Sequence, residues 1–159
     1  SNFEWRVSAA SIIFPGHFSH YPGVSRSLSV LSGKNAELKF GEIQQTLAYQ
    51  GPIVTFDGGD HAEVLSADGP VLDYNVMSRD KDVEHELSCV TLKKEEVYNR
   101  KGDYTLVTVF KGCNLIFEGE VVYLAEYDSV LFKKHDGADL LFESADPTTS
   151  MLITEVWEK

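Results

Sequence analysis

Apolar and polar positions alternate along this chain with a period of two almost throughout. In SRSLSVLSG, Ser25 to Gly33, the residues Arg26, Leu28 and Val30 fall on one face and Ser25, Ser27 and Ser29 on the other. The same alternation predicts strands over Trp5–Ala10, Ala36–Phe40, Gln45–Tyr49, Ile53–Phe56, Ala62–Leu65 and Leu72–Met77. A second set follows over Glu86–Leu92, Tyr104–Phe110, Asn114–Phe117, Val121–Ala125, Ser129–Phe132, Leu140–Glu143 and Met151–Trp157. Short strands separated by Gly, Asp and Asn turns are the signature of a sandwich or barrel, so the fold class expected is all-β. One segment, LKKEEVYNRKG from Leu92 to Gly102, reads as a single helical turn, and nothing else reads as helical.

The pattern repeats. The same interval separates Gly33 from Gly112 and the turn Asp57-Gly58 from the turn Asp136-Gly137. Between them LSVLSGKNAELKFGE parallels VTVFKGCNLIFEGE, strand for strand and turn for turn. Two tandem copies of one small β-barrel are expected, over residues 1–80 and 81–159. No Pro/Gly/Ser-rich linker divides them, which predicts halves that fold as one body.

Composition narrows the function classes. The 159 residues are 43% hydrophobic and 25% charged, as in a soluble globular protein. A formal charge of -11 argues against a nucleic-acid partner, because neutralising phosphates takes clustered Lys and Arg. No apolar run approaches the roughly 20 residues that span a bilayer, and no secretory h-region is visible. Cys89 and Cys113 lie far apart without CxxC spacing, as expected of two thiols in a reducing compartment. A cytoplasmic location with no membrane contact follows as the expectation.

Three ordered segments, FEWRVSAASI, GHFSHYPGVSRSLSVLSG and LDYNVMSR, together resemble the HutD/Ves family of the cupin superfamily. That family shows a Trp-Arg-x-Ser-x-Ala strand, a Phe-Ser-x-aromatic-Pro-Gly-x-x-Arg loop and an Asp-aromatic-Asn-x-Met-x-Arg strand. The likeness covers the first half well and the second mainly through architecture. It implies a bicupin, two tandem cupin-like β-barrel or jelly-roll halves. It also implies an accessory role, in some members beside histidine-degradation genes, with small-molecule binding and no established enzymatic reaction. Three departures stand out. Only five residues precede Arg6, where the family carries a further Gly-rich strand whose loss would remove part of the pocket wall. Ser25 stands where an acidic residue is common, and Asp80 where a second arginine is common.

The candidate chemistry centres on an inward arginine. Arg26 shares its face with Leu28 and Val30, and a buried guanidinium needs a partner, since an unpaired buried charge costs several kcal/mol, roughly. Asp73 would provide one within the protein, and a ligand carboxylate held bidentately would provide another. In VLDYNVMSR, Leu72, Tyr74 and Val76 share one face and Asp73, Asn75 and Met77 the other, and parity alone does not say which lines a cavity. Asn75 offers donors and an acceptor suited to orienting a polar ligand, or to bonding a backbone bulge. In the first strand Arg6, Ser8 and Ala10 alternate against Trp5, Val7 and Ala9, leaving room beside a second arginine.

The repeat supplies an internal control. It carries Arg26 to Thr105, and matching LDYNVM with LITEVW carries Asp73 to Ile153 and Asn75 to Glu155, so only the first copy keeps the arginine and the acid. The histidines His17 and His20 are spaced i,i+3, which on a strand points them to opposite faces, and no Glu follows at short range. They remain weak metal candidates, and no metal or other cofactor is expected.

GxSxG, HExxH and phosphate-loop motifs are absent, and Asp57 and Asp60 in FDGGD read as turn-formers. The expected function is binding of a small anionic metabolite in the first half. Arg26 would clamp its carboxylate, with Asn75, Asp73, Arg6 and Ser8 completing the pocket. The role would be regulatory or accessory, in histidine utilisation or a stress response. The alternatives are a cupin-type isomerase or lyase, and a ligand-free interaction module that fills the cavity with an Arg26–Asp73 pair and homodimerises.

Overall fold

The computed structural model describes residues 2–12 and 16–159, and every regular element in them is a strand. Among the described residues no helix is long and apolar enough to cross a membrane. The strands predicted from alternation are all present, most of them within two or three residues of the expected ends. Two elements differ. The helical turn expected in LKKEEVYNRKG is instead strand β10, Glu95–Asn99, which pairs antiparallel with β15, Asp139–Glu143. Its charged residues suit a helix surface, but Glu96 and Tyr98 alternate inward against exposed Glu95 and Val97, and cross-strand pairing overrides the local preference. The other is β2, Gly16–His17, a two-residue strand too short to show a period.

Two compact units divide the chain, one of residues 1–85 with 158–159 and one of residues 86–157, the division falling inside β9, Val83–Thr91. In the first unit β1 (Trp5–Ile12), β8 (Val71–Arg79), β3 (Val24–Ser32) and β6 (Val54–Asp57) form one antiparallel sheet in that order. A second sheet runs β2, β7 (Ala62–Ala67), β4 (Ala36–Phe40), β5 (Ile43–Leu47). Leu28, Val30, Leu38, Phe40, Leu47, Val54, Phe56 and Val64 form its apolar core. Each fully buried Leu or Phe among them contributes about 1.5–3 kcal/mol.

The later strands keep the same spatial order. β9, β16 (Ser150–Glu158), β11 (Tyr104–Val109) and β14 (Ser129–Phe132) form one sheet, and β10, β15, β12 (Cys113–Phe117) and β13 (Glu120–Leu124) the other. Every strand of the earlier sheets thus reappears eight strands later in the same place. The second core gathers Val107, Val109, Leu115, Phe132, Leu140, Phe142, Met151 and Ile153.

β3 is an interior strand, flanked by β8 and β6, and it is buried on both faces rather than one. Ser27 and Ser29 are 2% and 1% exposed. Ser27 Oγ is satisfied there by Thr55 Oγ1 at 2.9 Å and by His85 Nε2 at 2.8 Å. The other ring nitrogen of His85 reaches Ser78 Oγ at 2.6 Å, so one imidazole bridges β3 and β8 from behind.

Candidate functional site

Register builds the site. Across β3 and β8, Arg26 faces Met77, Leu28 faces Asn75 and Val30 faces Asp73. Across β1 and β8, Arg6 faces Met77, Ser8 faces Asn75 and Ala10 faces Asp73. Directly opposed residues point to the same side of a sheet, so Arg6, Ser8, Arg26, Asp73 and Asn75 project from one face of three adjacent strands. That settles the parity left open for β8, whose acid and amide face the cavity. All five line a cavity of about 360 Å³, roofed by Phe18, Tyr21, Ile12 and Val64.

The loop that delivers Arg26 is shaped by two glycines. Gly23 follows Pro22 at φ 71°, the positive φ that the third residue of a type II turn requires. Gly58 packs so closely that a Cβ would sit 2.7 Å from the carbonyl oxygens of both Tyr21 and Val24. The backbone of this pair is tied by Tyr21 N–H to Gly58 O and Gly58 N–H to Val24 O, each 2.7 Å. Asp57 is a turn-former here, its Oδ1 accepting the Gly59 N–H at 2.6 Å.

Arg26 is 3% exposed, Asp73 3% and Asn75 7%, yet Arg26 and Asp73 do not form an ion pair. Arg26 Nη1 donates to the Ser19 carbonyl at 3.1 Å, and its guanidinium lies 5.0 Å from the Phe18 ring centroid and 5.3 Å from that of Phe56. Asp73 Oδ1 instead accepts the Ala10 N–H at 2.9 Å. Burial pulls the Arg26 guanidinium below its ordinary value, against the counter-pull of Asp73 and Tyr21. Burial likewise pushes the Asp73 carboxyl up to about 6, with the Ala10 N–H and Arg26 restraining the rise. Three buried polar atoms around this cavity find no partner among the described residues: Arg6 Nε, Arg26 Nε and Asn75 Oδ1. Two donors and one acceptor are therefore left for a molecule that accepts from arginine and donates to an amide oxygen.

A divalent metal inside this cavity does not fit. Two guanidiniums occupy its wall, its one carboxylate is already bonded to a backbone N–H, and His17 is its only imidazole. His17 does not associate with His20. It lies 5.1 Å, ring to ring, from His61, and its Nδ1 is 3.7 Å from Glu63 Oε2. Sequence reasoning sought a carboxylate close in the chain and missed one placed opposite His17 by the pairing of β2 with β7. The weak local signal was His61-Ala62-Glu63, an i,i+2 pair on one strand face.

The corresponding positions in the second unit are buried and carry different side chains. Thr105 faces Glu155, Val107 faces Ile153 and Val109 faces Met151. With Thr105 standing for Arg26, register therefore sets Glu155 in the place of Met77, Ile153 in that of Asn75 and Met151 in that of Asp73. The sequence match of LDYNVM with LITEVW was two residues out, because likeness of pattern does not report cross-strand register. Glu155 is fully buried and accepts four hydrogen bonds, from Tyr98 Oη at 2.7 Å, Lys101 N–H at 3.0 Å, Gly102 N–H at 2.9 Å and Thr105 Oγ1 at 2.7 Å.

The two family departures meet in space. Ser25 donates to Asp80 Oδ1 through both its N–H, at 3.0 Å, and its hydroxyl, at 2.7 Å.

Comparison with known proteins bears on the family and the fold. The family model HutD matches residues 1–150. Protein Ves of Citrobacter koseri is 35% identical over 80 residues, covering 49% of this chain and 41% of that protein, so the chain matches less than half the length of this relative. The solved structure of HutD from Pseudomonas fluorescens SBW25 superposes with a TM-score of 0.80 at 22% identity, over 99% of this chain and 80% of that one. A cupin 2 conserved barrel domain protein from Leptotrichia buccalis follows at a TM-score of 0.66 and 11% identity, over 98% and 85%. The fold is cupin-like.

Proposed function

The chain belongs to the HutD family, and on that premise we propose that it is a bicupin whose first half binds a small carboxylate metabolite. The observation that carries this reading is the convergence of Arg6 Nε, Arg26 Nε and Asn75 Oδ1, buried and unpartnered, on one cavity. Arg26 holds the carboxylate through its Nε edge, while Nη1 stays on the Ser19 carbonyl and keeps the guanidinium aimed. Asn75 Oδ1 accepts an N–H or O–H of the same ligand. Phe18, Tyr21 and Ile12 cover its apolar body. The Asp73 carboxyl, with its titration raised to about 6, is neutral in a useful fraction of molecules near that pH and then does not repel the bound anion.

The ligand class is thus a carboxylate that also carries a hydrogen-bond donor. Urocanate and formiminoglutamate have both groups, consistent with an accessory or regulatory role in histidine utilisation inside the cytoplasm. Among the described residues no lining serine hydroxyl is hydrogen-bonded to His17 or Asp73, so binding rather than turnover is the reading favoured. Calorimetric titration of these carboxylates into the wild type and Arg26→Ala tests it. Saturable binding by the wild type, weakened at least about 30-fold in the variant, is the expected result. Equal heats from both proteins would remove the proposal.

A further inference from the structure

A second cluster lies at the rim of the cavity but on the other side of the sheet. Ala62 and Val64 of β7 point into the apolar core, so His61 and Glu63, which alternate with them, point outward. β2 lies beside β7 with His17 directly opposite Glu63. An i,i+2 pair on one strand and the residue facing it on the next make a compact triangle on a single sheet face.

The donor atoms of His17, His61 and Glu63 all lie within 4.8 Å of one another. Ligand atoms about 2.0–2.2 Å from a tetrahedral zinc ion are themselves about 3.4 Å apart, so closure needs side-chain rotations rather than backbone movement. The His17 and Glu63 side chains, 64% and 31% exposed, are free to make them. The His61 ring also lies against that of His17, 5.1 Å between centroids and tilted by 42°. Lys39, which faces Glu63 from β4, makes no ion pair with it, so the carboxylate is not committed on that flank.

We propose that His17, His61 and Glu63 form a binding site for one divalent transition-metal ion of the zinc class on the outer face of β2 and β7. Two imidazoles and one carboxylate select borderline ions such as Zn²⁺, Co²⁺, Ni²⁺ and Cu²⁺ over Mg²⁺ and Ca²⁺. Three protein ligands leave a fourth position to water or an added donor. His17 also lines the mouth of the arginine cavity, so the ion sits at its edge without entering it.

The test uses tag-free protein with no carboxylate ligand present, which makes it independent of what the cavity binds. Equilibrium dialysis against Zn²⁺ with elemental analysis should give one equivalent per chain, and Co²⁺ should give the visible absorption of a low-coordinate site. His17→Ala and His61→Ala should each weaken Zn²⁺ at least about tenfold and Glu63→Gln several-fold. His135→Ala, an exposed histidine far along the chain, should change nothing, and Mg²⁺ should not compete. Circular dichroism confirms that the surface variants fold. Retention of no more zinc than a His17→Ala/His61→Ala double variant, or affinity indifferent to all three substitutions, overturns the proposal.

Discussion

The two units carry the same strand order and opposite solutions to a buried charge. In the second, Glu155 is surrounded by four donors of its own chain, and nothing is left for a visitor. In the first, Arg26 and Asp73 share a cavity without pairing, and two arginine donors and an amide acceptor remain unanswered. Neutral hydroxyls are orphaned in both units, that of Ser29 in the first and those of Thr149 and Thr154 in the second. The second unit satisfies its buried charge internally, which makes the first unit's omission informative. Unmet hydrogen bonds around charged groups are what the proposed ligand would satisfy.

The sharpest way to break this contrast is to remove the satisfied charge. Glu155→Ala strands the Tyr98 hydroxyl, the Thr105 hydroxyl and two backbone N–H groups, and should cost about 3–5 kcal/mol in urea denaturation. Arg26→Met should do the reverse. Replacing an incompletely paired buried guanidinium by an apolar chain of similar length leaves stability unchanged or raises it, by up to about 1 kcal/mol, while carboxylate binding is lost. If Arg26→Met is as damaging as Glu155→Ala, the first unit is as internally satisfied as the second and the contrast fails.

A smaller effect separates the units by pH. The buried groups whose titration is displaced into the range of pH 4 to 6, Asp73 and His85, both belong to the first unit. Asp73 moves from 3.8 to about 6, so the native state keeps a proton that the unfolded chain has lost, and stability falls as pH rises through that window, by up to about 3 kcal/mol. His85 moves from 6.5 down to about 4 through burial, so the unfolded chain takes up a proton that the native state refuses, and stability rises with pH over that window. The two slopes oppose. Denaturation midpoints of the wild type should therefore vary little between pH 4 and 6. Asp73→Asn should expose the rising limb and His85→Gln the falling one. An Asp73→Asn profile as flat as the wild type would show that the carboxyl is not held in its neutral form.

Much of this was legible in the chain because a strand's parity is local. The period of two put Arg26 with Leu28, Asp73 with Asn75 and Arg6 with Ser8, and those pairings needed no knowledge of neighbours. Which face of β8 met which face of β3 needed the register, and that is set by residues some fifty positions apart. β10 hid because Lys93, Lys94, Glu95 and Glu96 outweigh Val97 and Tyr98 in local preference, while its partner β15 supplies the pairing. The His17–Glu63 contact was invisible for a related reason, since a two-residue strand has no period to detect. Unsatisfied atoms were least legible of all, because an orphan is defined by everything around it.

Ser25 and Asp80 carry one more consequence, and it concerns how such a sequence can change. The resemblance makes an acid common at the first position and an arginine common at the second, whereas here a hydroxyl meets a carboxylate at 2.7 Å. Restoring only the acid at position 25 would press two carboxylates together, and restoring only the arginine at position 80 would strand it opposite serine. Each single change is expected to destabilise and the double change to relieve it. The two positions are thus coupled through one contact, and a change at either is expected to need a change at the other.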